Sequence, residues 1–385
     1  METKSSEYDV IIAPYSSLIS PYNCAKTDEF LIRMSHPSTI TSVFIEGSIL
    51  SYESALTIAS FPNLTKLGLS GINVTDKGIV ALASAPKLTT LSLNRIGVVD
   101  ATLVQLARFP NLTSLNLGYN NVTSVGVSAL ALAPKLASLS LACTDVNDDG
   151  VMALASAPCL TELDINYTVV TDTGVTALAS APHLTALYLT STGVTDTGVL
   201  SLARSSSLTT LVLNHTAVTD AGIIALIQST HLAKLGLKST KITDAVALAL
   251  SRAPNLVSLN IEATSIGDTG VQALALAPLL TDLNIAETEV SDIGVQSLAL
   301  TPQLIELDLS STDVTDTGIL ALESSRTIMK LKLKWTEVSC DCLNRFEASR
   351  IAIRKTNLYQ CMAEEPSLNH IPTVLLDMIA NFAVE

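Results

Sequence analysis

Apolar residues recur along this chain with a fixed step. Leu64, Leu88, Leu112, Leu136, Leu160, Leu184, Leu208, Leu232, Leu256, Leu280 and Leu304 stand 24 residues apart without a slip. Ile40 opens a degenerate unit and Ile328 a final one, so thirteen units run from about residue 40 to 351. A typical unit, Leu160 to His183, reads LTELDINYTVVTDTGVTALASAPH, which condenses to LxxLxLxxTxVTDxGVxALAxAPx. Leu163 and Ile165 end in period-two alternation, which predicts a short strand with one buried face. Gly174 to Ser180 carries helical spacing. One unit is therefore strand, turn and helix, too small to bury its own apolar side, and it must stack on its neighbours.

Three further positions punctuate the unit. An Asp stands where each helix begins (Asp76, Asp100, Asp148, Asp172, Asp196, Asp220, Asp244, Asp268, Asp292 and Asp316), placed to accept from the free N–H groups of that helix and to face its positive dipole end. Proline near the end, as in Pro158 and Pro182, stops the helix, because the residue before proline avoids the α region. The ninth place holds Thr in nine successive units, Thr144 to Thr336, and Asn once, at Asn120. Hydroxyl and amide there can satisfy backbone groups left open where the strand turns away, which makes these residues structural.

The repeat resembles a leucine-rich repeat, and its 24-residue length with a G-V-x-A-L segment is similar to the GALA class of bacterial effectors. The resemblance covers about 80% of the chain. It implies an α/β solenoid of about 13 repeats, a horseshoe with a parallel sheet on the concave face and short helices on the convex face. Independently, strands stack every ~4.8 Å while helices need roughly 8 Å, so such an array curves with its strands inside. Residues 1–39 and 352–385 are left to cap the ends of the array, residues 40–351.

Variable positions of the strands form the inner wall, where solenoids bind partners. Its middle offers Tyr119, then Glu162, Asp164, Asn166 and Tyr167, then Tyr188, then Asn214 and His215. Exposed tyrosines are enriched in binding hot spots. Lys234, Lys238 and Lys241 follow, then an acidic wall of Glu262, Asp282, Glu287, Glu289, Glu306, Asp308 and Asp313, suited to steer a basic partner. The last unit carries Lys330, Lys332, Lys334 and Trp335, a cap or a rim contact. The expected partner is a protein held on the concave face, and the chain alone is expected to be a monomer.

Composition narrows the classes. Of 385 residues, 48% are apolar but only 4% aromatic, and 22 Lys and Arg against 36 Asp and Glu leave a net charge of −14. That balance argues against a nucleic-acid surface and against docking on anionic lipid. Mean hydropathy is +0.43, yet no apolar run is long enough to span a membrane. Catalytic constellations are not found: His36, His183, His215, His231 and His370 lack HExxH spacing, and neither GxGxxG nor GxxxxGK[ST] occurs. The expectation is a protein that is not an enzyme and takes no cofactor or metal.

Cys24, Cys143, Cys159, Cys340, Cys342 and Cys361 show no CxxC. Cys340 and Cys342 with Cys361 resemble the opening of the disulfide caps of extracellular leucine-rich repeat domains, but the fourth cysteine is missing. No secretory signal precedes the array, which points to a cytoplasmic protein with reduced thiols and to sequons, such as Asn166 and Asn214, that are by-products of the repeat. Ile371 to Phe382 is similar to the first helix of an F-box, and implies, as the alternative function, a substrate-recognition subunit of a ubiquitin ligase. Glu364, Glu365, Phe382 and Ala383 look like the C-terminal export signals of type IV-secreted effectors, which would place the protein in a host cell.

Overall fold

The computed structural model describes residues 8–12, 37–47, 49–82, 84–227 and 231–364, with side chains of the final helix described to Ile353. They fall into two compact units, Met1–Val212 and Leu213–Glu385. The F-box-like segment, the export-like residues Glu365, Phe382 and Ala383, and Cys24, His36 and His370 lie outside the described residues.

In Met1–Val212 the strands Tyr8–Ile12, Ile40–Glu46, Lys66–Ser70, Thr90–Asn94, Ser114–Asn116, Ser138–Ser140, Glu162–Asp164, Ala186–Tyr188 and Thr210–Val212 pair in sequence order, all parallel. Leu213–Glu385 continues the pattern with Lys234–Gly236, Ser258–Asn260, Asp282–Asn284, Glu306–Asp308 and Lys330–Lys332. Register follows the repeat: Leu163 pairs with Leu187, and Leu187 with Leu211. From Ile40 to Glu364 the described residues hold thirteen strand–helix units. The chain is thus an α/β solenoid of 24-residue units with parallel strands.

The core is the row of conserved-in-register aliphatics. Leu163, Ile165, Val170, Val175 and Leu178 of one unit are all fully buried. A leucine buried this way contributes roughly 1.5–3 kcal/mol, and repetition makes the sum large. In the last described unit Leu331 and Leu333 are only half-buried.

The helix starts differ from the expectation. Spacing predicts that Asp172 caps its own helix; in the structure Thr171 does so, its hydroxyl accepting from the Thr173 N–H, and Asp172 is the first helical residue. Its carboxylate reaches forward to the next unit. Oδ1 accepts from the Thr195 N–H at 2.8 Å and Oδ2 from the Thr195 hydroxyl at 2.6 Å. The same clamp joins Asp100 to Thr123, Asp148 to Thr171, Asp220 to Thr243, Asp268 to Ser291, Asp292 to Thr315 and Asp316 to Ser339. Asp268 and Asp292 also accept from the N–H of Gly294 and Gly318, in the first turn of the next helix. Each acid therefore places its charge at the dipole of the following helix.

The recurrence of glycine in the GVxAL segment follows from this clamp. A Cβ at Gly174 would come within 2.6 Å of Asp148 Oδ1, and at Gly198 within 2.5 Å of Asp172 Oδ1. Thr102 stands at that place in one unit, and its hydroxyl donates to Asp76 Oδ1 at 2.5 Å.

In the last described unit Cys340 stands at the place of the Asp and Arg350 at that of the proline, and the helix is long, Cys340–Glu364. Arg350 is 2% exposed. Its guanidinium donates to the carbonyls of Ser325, Ile328 and Glu323 and lies 4.4 Å over the Phe346 ring. Those carbonyls close the preceding helix, where a cation opposes the negative dipole end. Burial lowers the Arg350 pKa, and Glu323 works against that shift.

Candidate functional site

Position eight of the unit has one backbone conformation throughout. Arg95, Tyr119, Cys143, Tyr167, Ser191, His215, Ser239, Ala263, Glu287, Ser311 and Trp335 all have φ between 53° and 62°. The left-handed region costs an L-residue roughly 1–2 kcal/mol, and here it throws the side chain outward as the strand turns. Gly47 and Gly71 hold the same place in the first two units. At this place Tyr119 is 59% and Tyr167 56% exposed, and in Leu213–Glu385 His215, Glu287 and Trp335 are exposed, Trp335 86%, whereas Cys143, Ser191, Ser239, Ala263 and Ser311 are half-buried. The Tyr119 pKa is raised, first by its hydrogen bond to Cys143. Immediately after this row the buried Thr168 donates to the Ile165 carbonyl at 2.7 Å, and Asn120 donates to the Leu93 and Leu117 carbonyls and accepts from the Ile96 and Val98 N–H groups. The ninth place is structural, as its residue type implies.

Within Met1–Val212, Glu162 and Asp164 project from the open face of one strand. Tyr188, on the neighbouring strand, is the cross-strand partner of Asp164, and Ala186 that of Glu162. Ser138 Oγ donates to Glu162 Oε2 at 3.1 Å and Ser140 Oγ to Asp164 Oδ2 at 2.8 Å. The Tyr188 pKa is raised, first by burial and then by the neighbouring carboxylates of Glu162 and Asp164. Asp164 Oδ1 accepts from the Asn166 N–H at 3.1 Å, and Asn166 Oδ1 from the Thr190 N–H at 2.6 Å. Asn166 therefore commits its carbonyl oxygen to the strand ladder, and so does Asn214 in Leu213–Glu385, accepting from the Lys238 N–H at 2.9 Å.

Leu213–Glu385 is arranged otherwise. Three of its acids face lysines one unit away: Glu262 with Lys238 at 2.5 Å, Glu306 with Lys330, and Asp308 with Lys332 at 3.3 Å. The acidic wall expected from the sequence is to that extent already neutralised. Asn284 Nδ2 completes the Glu262 shell at 3.0 Å, and Asp282 accepts from the Thr281 hydroxyl at 2.5 Å. A shallow cleft of about 270 Å³ runs over Asp282, Asn284, Glu306, Asp308, Lys330 and Lys332. Asp282, Glu287, Glu289 and Asp313 have no ion pair among the described residues.

The outward row and the lysine pairs were the parts that sequence reasoning missed, and both left a trace. Gly47 and Gly71 mark the left-handed place, and each Lys stands 24 residues from its acid. Among the described residues no three His, Cys, Asp or Glu gather as a metal would require, and Cys143, Cys159, Cys340 and Cys342 are free thiols. No helix among them is long and apolar enough to cross a membrane.

A family model described as Leucine Rich repeat matches residues 110–131, 133–155, 156–179, 180–203, 204–226, 252–275 and 303–322. Among solved structures, the chain is similar to an internalin from Listeria monocytogenes, with a TM-score of 0.57, 23% identity and coverage of 87% of this chain and 97% of that one. It is also similar to yeast Rad7 in complex with Elc1 (TM-score 0.53, 17% identity, 76% and 84% covered). The mouse RP105/MD-1 complex gives a TM-score of 0.52 at 18% identity, with 83% and 53% covered. No curated protein matches the chain in sequence.

Proposed function

Since this chain is a leucine-rich repeat protein, we propose that it is a non-catalytic module that binds a protein partner on the open face of its sheet. The observation that carries the reading is the row of exposed, left-handed Tyr119 and Tyr167 beside Tyr188, Glu162 and Asp164, on a scaffold whose other places are monotonous. Backbone strain kept at side chains that face solvent is a reason to look for a contact there, and tyrosine supplies large area at low entropy cost. In Leu213–Glu385, His215, Glu287 and Trp335 hold the same place of the repeat, and Glu262, Asp282, Glu306 and Asp308 offer a second, mostly paired surface. Two of the similar solved structures are complexes with a partner protein, which is in keeping with the reading.

The test is affinity capture with the full chain and with Tyr167→Ala/Tyr188→Ala. A partner retained by the parent protein and lost by the double variant supports the reading; equal capture by both, or none by either, overturns it.

The GALA-like repeat adds a narrower proposal, that the protein is a bacterial effector, or a regulator of one, acting in a host cytoplasm after export by a type IV system. A translocation reporter fused to the chain tests this: a signal in host cells that depends on the secretion system supports it. The ubiquitin-ligase alternative rests on Ile371 to Phe382; deleting residues 366–385 abolishes adaptor binding with the fold intact if it holds.

A further inference from the structure

We propose that the patch formed by Glu162, Asp164 and Tyr188 takes an arginine side chain from a basic segment of the partner. The inference rests on the protein-binding reading and names the chemistry of its site. The two carboxylates leave the same face of one strand two residues apart, about 6–7 Å along the chain. The hydrogen-bond donors that the structure gives them are uncharged: Ser138 for Glu162, Ser140 and the Asn166 N–H for Asp164. Both charges are therefore held in place and left uncompensated, unlike Glu262, Glu306 and Asp308, which carry lysine partners.

The cross-strand neighbours of the two carboxylates include small residues. Ser138 and Ser140 flank one edge, and Ala186, opposite Glu162, the other. Tyr188 stands beside Asp164, where a cation can rest on the ring while it meets the carboxylate. A planar guanidinium suits this arrangement better than an ammonium, because its fork can bond a carboxylate bidentately while its face stacks on an aromatic ring. A net charge of −14 draws such a segment toward the protein.

The experiment measures fluorescence anisotropy of a labelled heptapeptide, Gly-Arg-Gly-Arg-Gly-Arg-Gly, with the full chain near physiological salt. Glu162→Gln/Asp164→Asn is expected to weaken binding about tenfold or more, as is replacing each arginine by citrulline. Glu53→Gln/Glu347→Gln removes equal charge from exposed helix positions away from the strands and is expected to change affinity less than about twofold. Ala186→Arg sets a guanidinium of the chain's own against Glu162 and is expected to block the peptide, which keeps the test available should the first variant fold poorly. Unchanged binding by Glu162→Gln/Asp164→Asn, equal loss in Glu53→Gln/Glu347→Gln, or no peptide binding by the parent protein overturns the inference. A captured partner that needs Tyr167 and Tyr188 but is indifferent to Glu162→Gln/Asp164→Asn overturns this inference alone and leaves the binding reading standing.

Discussion

Asp172 accepts both the backbone N–H and the hydroxyl of Thr195, at 2.8 and 2.6 Å, across 23 residues of sequence. The same hydroxyl accepts from the Thr197 N–H at 3.3 Å, so one threonine relays the acid of one unit to the free helix start of the next. Thr195→Val keeps the branched shape and removes the relay. It leaves Oδ2 without its donor and the helix without its cap, and a loss of about 1–2 kcal/mol in urea unfolding is expected. A change below experimental error would remove the clamp from the account of stability.

The last clamp gives a pH dependence. Asp316 is held below the usual carboxylate range, first by the Ser339 backbone N–H and then by its hydroxyl. A depressed folded pKa means that the stabilisation is present above the unfolded value, near 3.9, and disappears as pH falls through the lower folded value. Asp316→Asn is therefore expected to unfold at lower urea than the parent protein at pH 6, with the gap closing as the pH drops below about 4. A gap that persists in strong acid would mean that ionisation of Asp316 is irrelevant.

At the C-terminal end, Arg350→Ala uncovers the carbonyls of Ser325, Ile328 and Glu323. Buried acceptors that lose charged donors cost about 1.5–3 kcal/mol. Hydrogen exchange is expected to accelerate first in Asp316–Leu322 and Lys330–Lys332, next to the lost contact, and to stay slow around Leu163. Uniform acceleration through the chain would contradict a local capping role.

The left-handed row predicts opposite signs for two substitutions at one site. Ala263 has φ 54°. Ala263→Gly relieves strain at some cost in unfolded-chain entropy, for a net gain of up to about 1 kcal/mol, whereas the β-branched side chain of Ala263→Val loses about 1–2 kcal/mol. Equal midpoints for the two variants in thermal unfolding would show that the backbone there is relaxed.

The repeat length, strand and helix order, and buried leucines were all legible in the chain, because a 24-residue period forces every unit into one local geometry and the aliphatic pattern states which side is inside. The proline carries less weight than its place suggests: helices end at Leu202 and Leu322 although Ser206 and Arg326 stand at its place, just as one ends at Leu178 before Pro182. What reaches across units was not. Asp172 has the composition of a local cap, and only the stacking distance between successive units decides that its carboxylate meets Thr195 in place of its own helix. Likewise, Glu306 and Glu162 look alike in sequence, yet one faces Lys330 and the other faces Ser138 and Tyr188. Sequence alone therefore determined the unit and its repetition, which depend on contacts a few residues apart. The tertiary structure decided which charges are satisfied and which are left facing solvent, because that depends on what the neighbouring unit sets beside each carboxylate.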